Sequence, residues 1–175
     1  MNIRLAREDD ARAIAGVHVA SWQSTYRNIL PADYLANLSI DRREERWREV
    51  LRNQDTRNCT FVVENEEKQI IGFASAGPQR DPNINFKAEL YAIYLLESAQ
   101  RQGLGGSLIQ AAAVHLARSG FKDMLVWFLE GNPSRKFYES RGGQYITKKA
   151  ITIGEQELTE VAYGWSDLEP LLGKQ

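Results

Sequence analysis

The stretch "QRQGLGGSL" (residues 100–108) decides the reading of this chain. It clusters three glycines, Gly103, Gly105 and Gly106, around Leu104, the first of Leu104, Leu108, Ala112 and Leu116, which repeat at i, i+4 and predict a helix that Gly120 can end. Glycine inside a helix costs about 0.5–1 kcal/mol relative to alanine, so a cluster at a helix start needs a reason. The first four N–H groups of a helix lack internal partners, and the helix dipole makes that end electropositive. Without Cβ atoms, those amides can meet a bulky phosphate directly.

The run before the glycines, "AELYAIYLL", is β-rich and apolar with a carboxylate, Glu89, at its start. The run after the helix, "MLVWFLE", reads as a buried strand, and "PSRKFYESRG" as a short helix with proline at its start and glycine at its end. Two strands follow, around "GQYITKKAIT" and "LTEVAYGW"; two more, "TFVVEN" and "QIIGFASAG", come earlier, joined by the polar turn "ENEEK". "NIRLA" predicts a first strand. A helix follows with Ala11, Ile14, His18 and Trp22 on one face and carboxylates at its favourable end, then a short helix after Pro31. Asp41 and Glu44 predict a capping box for "DRREERWREVLR", with Trp47, Val50 and Leu51 inward. This order predicts an α/β (α+β mixed) fold, a mixed sheet flanked by helices. No repeat, low-complexity tract or linker divides it, so one domain over 1–175 is expected.

The 22 basic and 23 acidic residues nearly cancel, so no surplus points to nucleic acid. Cys59 is the only cysteine, which excludes an internal disulfide and a cysteine zinc cage; His18 and His115 lie far apart, so no metal is expected. No signal peptide or membrane-length apolar run is visible, and the cytoplasm is the expected compartment.

A phosphate-binding P-loop would need a lysine after the glycines, and none follows. A dinucleotide loop would need Gly or Ala where Leu108 stands, and Asp123 precedes the next strand instead of ending it. A tight turn without a ligand is the plain alternative. Gln100-x-x-Gly103-x-Gly105, however, resembles the Q/R-x-x-G-x-G/A motif of the GNAT acetyltransferases. "ELYAIYLL" resembles that family's central strand and "NPSRKFYESRGG" its second motif, N-x-x-[x]-x-x-x-Y-x-x-x-G. "ARAIAGVHVASWQSTYRNILPADYL" resembles its N-terminal helical region. Nearly the whole chain is covered. One departure is "LESAQ", where many members carry proline and an acidic residue.

The resemblance implies a central, mostly antiparallel twisted sheet splayed at its middle strands, and acetyl-CoA as co-substrate. The amides of Arg101, Gln102, Gly103, Leu104, Gly105, Gly106 and Ser107 would hold the pyrophosphate. The pantetheine arm would run along the strand at Ile93 and Leu95, with the Leu95 N–H polarising the thioester carbonyl. Asn132 would lie near the pantetheine or the amine, although asparagine also suits a turn before Pro133. Tyr138 would lie near the sulfur, protonating or hydrogen-bonding the departing thiolate; a half-buried helix tyrosine is its plainer reading.

Attack requires a neutral amine, and an alkyl amine of pKa about 10 is less than about one part in a thousand neutral at pH about 7. A base is therefore needed. Strand alternation puts Glu89 on one face with Tyr91, Ile93 and Leu95, and the resemblance implies a base there, acting directly or through water, ahead of Glu64 and Glu130. A solvated glutamate at a strand entry is its plainer reading. Cys59 lacks an activating neighbour, so direct attack is expected in place of a cysteine intermediate. By resemblance Trp22 and Tyr26 are candidates for the acceptor pocket, with core packing as their equal reading, and the loop 78–87 is expected to shape it. The expected acceptor is a primary amine on a small molecule, a peptide or a protein. Relatives often form homodimers. The rival of another class is an acetyl-CoA-binding sensor without catalysis; a nicotinamide-binding protein is the remote third reading.

Overall fold

Alternating apolar runs rich in Val, Ile, Phe and Tyr become strands, and the i, i+4 apolar stripes become helices that cover them. The computed structural model describes residues 1–173, and the last two residues of the expected 1–175 domain lie outside them. The strands are β1 (Asn2–Leu5), β2 (Cys59–Glu64), β3 (Ile70–Pro78), β4 (Ala88–Leu95), β5 (Met124–Leu129), β6 (Gln144–Ile153) and β7 (Gln156–Trp165). They form one seven-stranded sheet in the order β1-β2-β3-β4-β5-β7-β6. Every neighbouring pair is antiparallel except β4 and β5.

Helix α4 (Leu104–Arg118) is the crossover between the two parallel strands and covers one face. Its Leu108, Ile109, Ala112 and Leu116 pack on Val63, Ala74, Leu90 and Val126, all nearly inaccessible to water. Burying such a side chain contributes about 1.5–3 kcal/mol. The opposite face is covered by α1 (Ala11–Thr25) and α3 (Ile40–Arg52), whose Ile14, Val17, Trp47 and Leu51 meet Val62 and Phe73. The short α2 (Ala32–Ala36) closes a third cluster of Tyr26, Leu30, Leu35 and Leu129. Helix α5 (Arg135–Ser140) follows β5, and α6 (Glu169–Leu172), not expected from the sequence, packs on α4.

Two irregularities position the site. The β4–β5 ladder holds only at Glu89–Leu125 and Leu90–Val126, after which the strands part. In β4, Ser75 of β3 faces Ala92 while Ala76 faces Leu90, so Tyr91 is a bulged extra residue. A one-residue insertion reverses the alternation beyond it. Leu90, Ile93 and Leu95 therefore face α4, whereas Ala92 and Tyr94 face α1 and α3. This corrects the expected alternation: Glu89 does not share a face with Ile93 and Leu95.

Helix α3 is capped differently from expectation. Ser39 accepts the Arg42 N–H at 3.2 Å, whereas Asp41 and Glu44 both engage Arg12. Val50, expected inward, is exposed, because the buried line of the helix runs through Trp47 and Leu51, four residues apart, and Val50 lies to one side of it.

Candidate active site

Where β4 and β5 part, a cavity of about 770 Å³ passes through the sheet. Ile93, Leu95, Phe128, Phe137 and Tyr138 wall it on the α4 side, and Tyr26, Ala92 and Tyr94 wall it on the other. Trp127 also lines it. A molecule entering from one face can thus meet a molecule entering from the other.

The glycine turn forms one end. Gly103 caps α4 with a left-handed φ of 81°, and Arg101 also has a positive φ of 61°. An L residue in that region is strained, which gives Gly103 a conformational reason within the protein itself. The first intrahelical bond runs from Ser107 N–H to Gly103 O at 3.2 Å. The amides of Gly103, Leu104, Gly105 and Gly106 precede it and have no helical partner. Ser107 is thereby corrected: its amide closes the helix, leaving only its exposed hydroxyl. Gly103, Gly105, Gly106, Gln100 and Arg101 line the cavity; Gln102, Leu104 and Ser107 do not contribute to that wall. The exposed Gln102 donates to Ser98 O at 2.9 Å.

The cradle has room for a phosphate. A Cβ on Gly103 would meet nothing within 4 Å, and one on Gly105 would only touch Phe137 and Leu95 at about 3.5 Å. At Gly106 the Cβ position is filled by the Arg141 guanidinium. Arg141 lines the cavity and rests over Phe137, placing a cation beside the amides. No sequence pattern singled it out.

Along β4, Leu96 N–H donates to Ile71 O of β3 at 2.9 Å. Main-chain groups alternate in direction, so those of Ile93 and Leu95 point away from β3, toward the gap. The Leu95 carbonyl there accepts from Ser21 Oγ at 3.1 Å and from Gln100 Nε2 at 3.2 Å. Gln100, the first residue of the glycine motif, thus fastens the loop to the strand end.

Tyr138 is buried, stacked near Phe128 at 4.9 Å between ring centres and flanked by Trp165. Burial pushes its hydroxyl pKa up, so it keeps its proton as a donor. Asn132 is also buried, but its amide is used by the protein. Oδ1 accepts from Ser134 N at 2.8 Å, and Nδ2 donates to Tyr26 Oη at 3.1 Å. Tyr26 Oη lies 3.5 Å from Tyr94 Oη, so Asn132 holds a tyrosine pair in the wall of the cavity. Trp22 packs beside Tyr26 without lining it.

Glu89 is 3% exposed and lies outside the lining. Arg80, from the loop 78–87, brackets its carboxylate: Nε and the Arg80 backbone N–H each donate to Oε2 at 3.2 Å, and Nη2 donates to Oε1. Glu160 on β7 is a second half-buried carboxylate on this side of the sheet. Its pKa is raised, chiefly by burial, and nearby Glu89 adds to the rise. It sits in an ordinary strand pattern, so spacing carried no hint of it. Cys59 is buried, its thiol pushed up to about 12, and unreactive. Among the described residues, no three His, Cys, Asp or Glu side chains gather as a metal-holding group. No described helix is long and apolar enough to cross a membrane.

Comparison with known proteins agrees with this geometry. Residues 19–143 match the model of the acetyltransferase (GNAT) family. The chain is 39% identical over 171 residues to the uncharacterized N-acetyltransferase YuaI of Bacillus subtilis, covering 98% of this chain and 96% of that one. Among solved structures, it resembles the PaiA N-acetyltransferase of Thermoplasma acidophilum in complex with coenzyme A. That match has a TM-score of 0.71 and 21% identity, over 91% of this chain and 96% of that one. A second structural match is YncA, a putative acetyltransferase of Salmonella typhimurium with its cofactor acetyl-CoA. Its TM-score is 0.72 and its identity 20%, over 97% of this chain and 94% of that one. The chain is a member of the GNAT family of acetyltransferases.

Proposed function

We propose that the chain, acting as one domain over 1–175, transfers the acetyl group of acetyl-CoA to a primary amine by direct attack, with both substrates bound together. The observation that carries this reading is the cavity through the sheet, which has free helix amides at one end and walls from both faces. Acetyl-CoA supplies an activated thioester. The amides of Gly103 to Gly106 and the Arg141 guanidinium would hold its diphosphate, and the main chain at Ile93 and Leu95 its amide-bearing arm. The Leu95 N–H is the donor for the carbonyl oxygen on which charge develops.

Tyr138 donates a hydrogen bond, or its proton, to the thiolate that leaves. A thiol of pKa about 8.5 leaves without obligatory protonation, so a hydrogen bond suffices. Glu89 is the base, acting through water because Arg80 occupies its carboxylate; Arg80 fixes its orientation. Glu160 adds negative charge on the amine's side. The cytoplasm is the compartment that suits this chemistry.

Incubation with acetyl-CoA and a panel of primary amines, followed by free thiol, tests the proposal. Release that depends on a particular amine is expected. Tight acetyl-CoA binding without release on any amine would instead mark a binding module.

A further inference from the structure

A second cavity, of about 520 Å³, lies beneath α3, and Tyr91 and Ala92 belong to the walls of both cavities. Three arginines line it: Arg43 and Arg46 from α3, and Arg80. Elsewhere on α3, Arg48 pairs with Glu44 and Arg52 with Glu8, while the exposed Arg42 lies outside this cavity's lining. Among the described residues, no carboxylate lies within 4 Å of Arg43 or Arg46, although the whole chain carries a net charge of only −1.

Arg43 is the anomaly. It is half-buried, its pKa is lowered chiefly by that burial, and neighbouring Arg46 lowers it further. Its side-chain hydrogen-bond contact among the described residues is His18, whose Nε2 and Nδ1 lie 3.1 and 3.5 Å from Arg43 Nη1; the Tyr94 and Tyr34 hydroxyls act on it only from farther away. Trp47 Nε1 already donates to His18 Nδ1 at 3.1 Å, however. A neutral imidazole has a single acceptor nitrogen, so it cannot accept from both donors. Burial and Arg43 push the His18 pKa down to about 3, so the ring is neutral. Arg43 is left with the Trp22 face, 4.8 Å away, and at best a long contact to the His18 nitrogen that Trp47 already occupies. A half-buried guanidinium without an acceptor is costly, and an oxyanion would satisfy it.

Resting on the acetyltransferase reading above, we propose that this second cavity receives an anionic group of the acceptor, a carboxylate or phosphate, so that the acceptor is an amine that also carries an oxyanion. Tyr91 and Ala92 stand between the two cavities, so the anion's cavity adjoins the one assigned above to acetyl transfer. Arg80 lines the second cavity while holding Glu89, the base of the reaction proposed above.

Matched acceptor pairs test this. Amino acids are compared with their carboxamides, and phosphoethanolamine with ethanolamine, by kcat/KM from thiol release. The expected result is a preference of about tenfold or more for the anionic member of at least one pair, which also tells carboxylate from phosphate. Arg43→Gln is expected to bring that ratio close to unity. If that variant fails to fold, as judged by thermal melting, Arg46→Gln at the exposed edge of the same cavity is expected to lower the ratio about threefold. Equal use of both members, no turnover of any anionic member, or a ratio that survives these substitutions would overturn the proposal. Acetyl-CoA titration by calorimetry on the same preparations separates the failures. Binding with neutral amines acetylated just as well sinks only the anion site, whereas absent binding sinks the acetyltransferase reading beneath it.

Discussion

At Gly105 a methyl would make only ordinary contacts with Phe137 and Leu95, so the protein itself tolerates a small side chain there. A valine would push its branches into the cavity beside the free amides. Gly105→Val is expected to retain the melting temperature within a few degrees and weaken acetyl-CoA binding by more than about tenfold in calorimetry. Unchanged affinity would contradict the phosphate cradle. Glu89→Gln keeps the shape of the side chain and removes its basicity. The rate should fall about a hundredfold, and the alkaline-going limb of the rate–pH profile should shift. A superimposable profile would remove Glu89 as the base. His18 makes a prediction about stability. Its pKa is depressed to about 3 in the folded chain against 6.5 unfolded, so the unfolded chain binds the extra proton between those values. Its contribution is complete above the unfolded pKa and is lost as pH falls. Between pH about 6.5 and 5 the loss is about 1.5 kcal/mol, and His18→Phe should flatten that part of a denaturation series. A slope unchanged by the substitution would show that His18 is not the group titrating.

Helix α3 shows where local sequence rules meet tertiary competition. Its cap is Ser39, and Ser39→Ala should cost about 1 kcal/mol in urea unfolding. Asp41→Ala, at the expected cap, should cost less, because Asp41 is exposed and pairs only with Arg12 across the surface. The reverse order would restore the predicted capping box. Most elements were readable, because apolar period and breakers agreed at Pro31, Gly120 and Gly142. The bulge at Tyr91 was not readable. Nothing in "AELYAIYLL" marks one residue as extra, and that single insertion moves Glu89 off the face of Ile93 and Leu95. The glycine turn was legible because left-handed φ and close approach leave their trace in residue type. Arg80, Arg141 and Glu160 left none, since a charged side chain reveals its purpose only through what the fold puts beside it. Asn132 carried two readings, and it holds the turn and Tyr26 while lining the cavity.

In the molecule as a whole, a parallel pair opens inside an otherwise antiparallel sheet, and the opening is lined from both faces. One crossover helix covers one side and aims its amino end at the gap; α1, α2 and α3 cover the other, where the cavity is walled by Tyr26, Ala92 and Tyr94. The most direct measurement is a crystal structure with acetyl-CoA bound. Phosphate oxygens should lie within hydrogen-bonding distance of the amides of Gly103 to Gly106, with the arm alongside Ile93 and Leu95 and the acetyl group in the gap between β4 and β5. A coenzyme seated anywhere else, with those amides facing only water, would contradict the account.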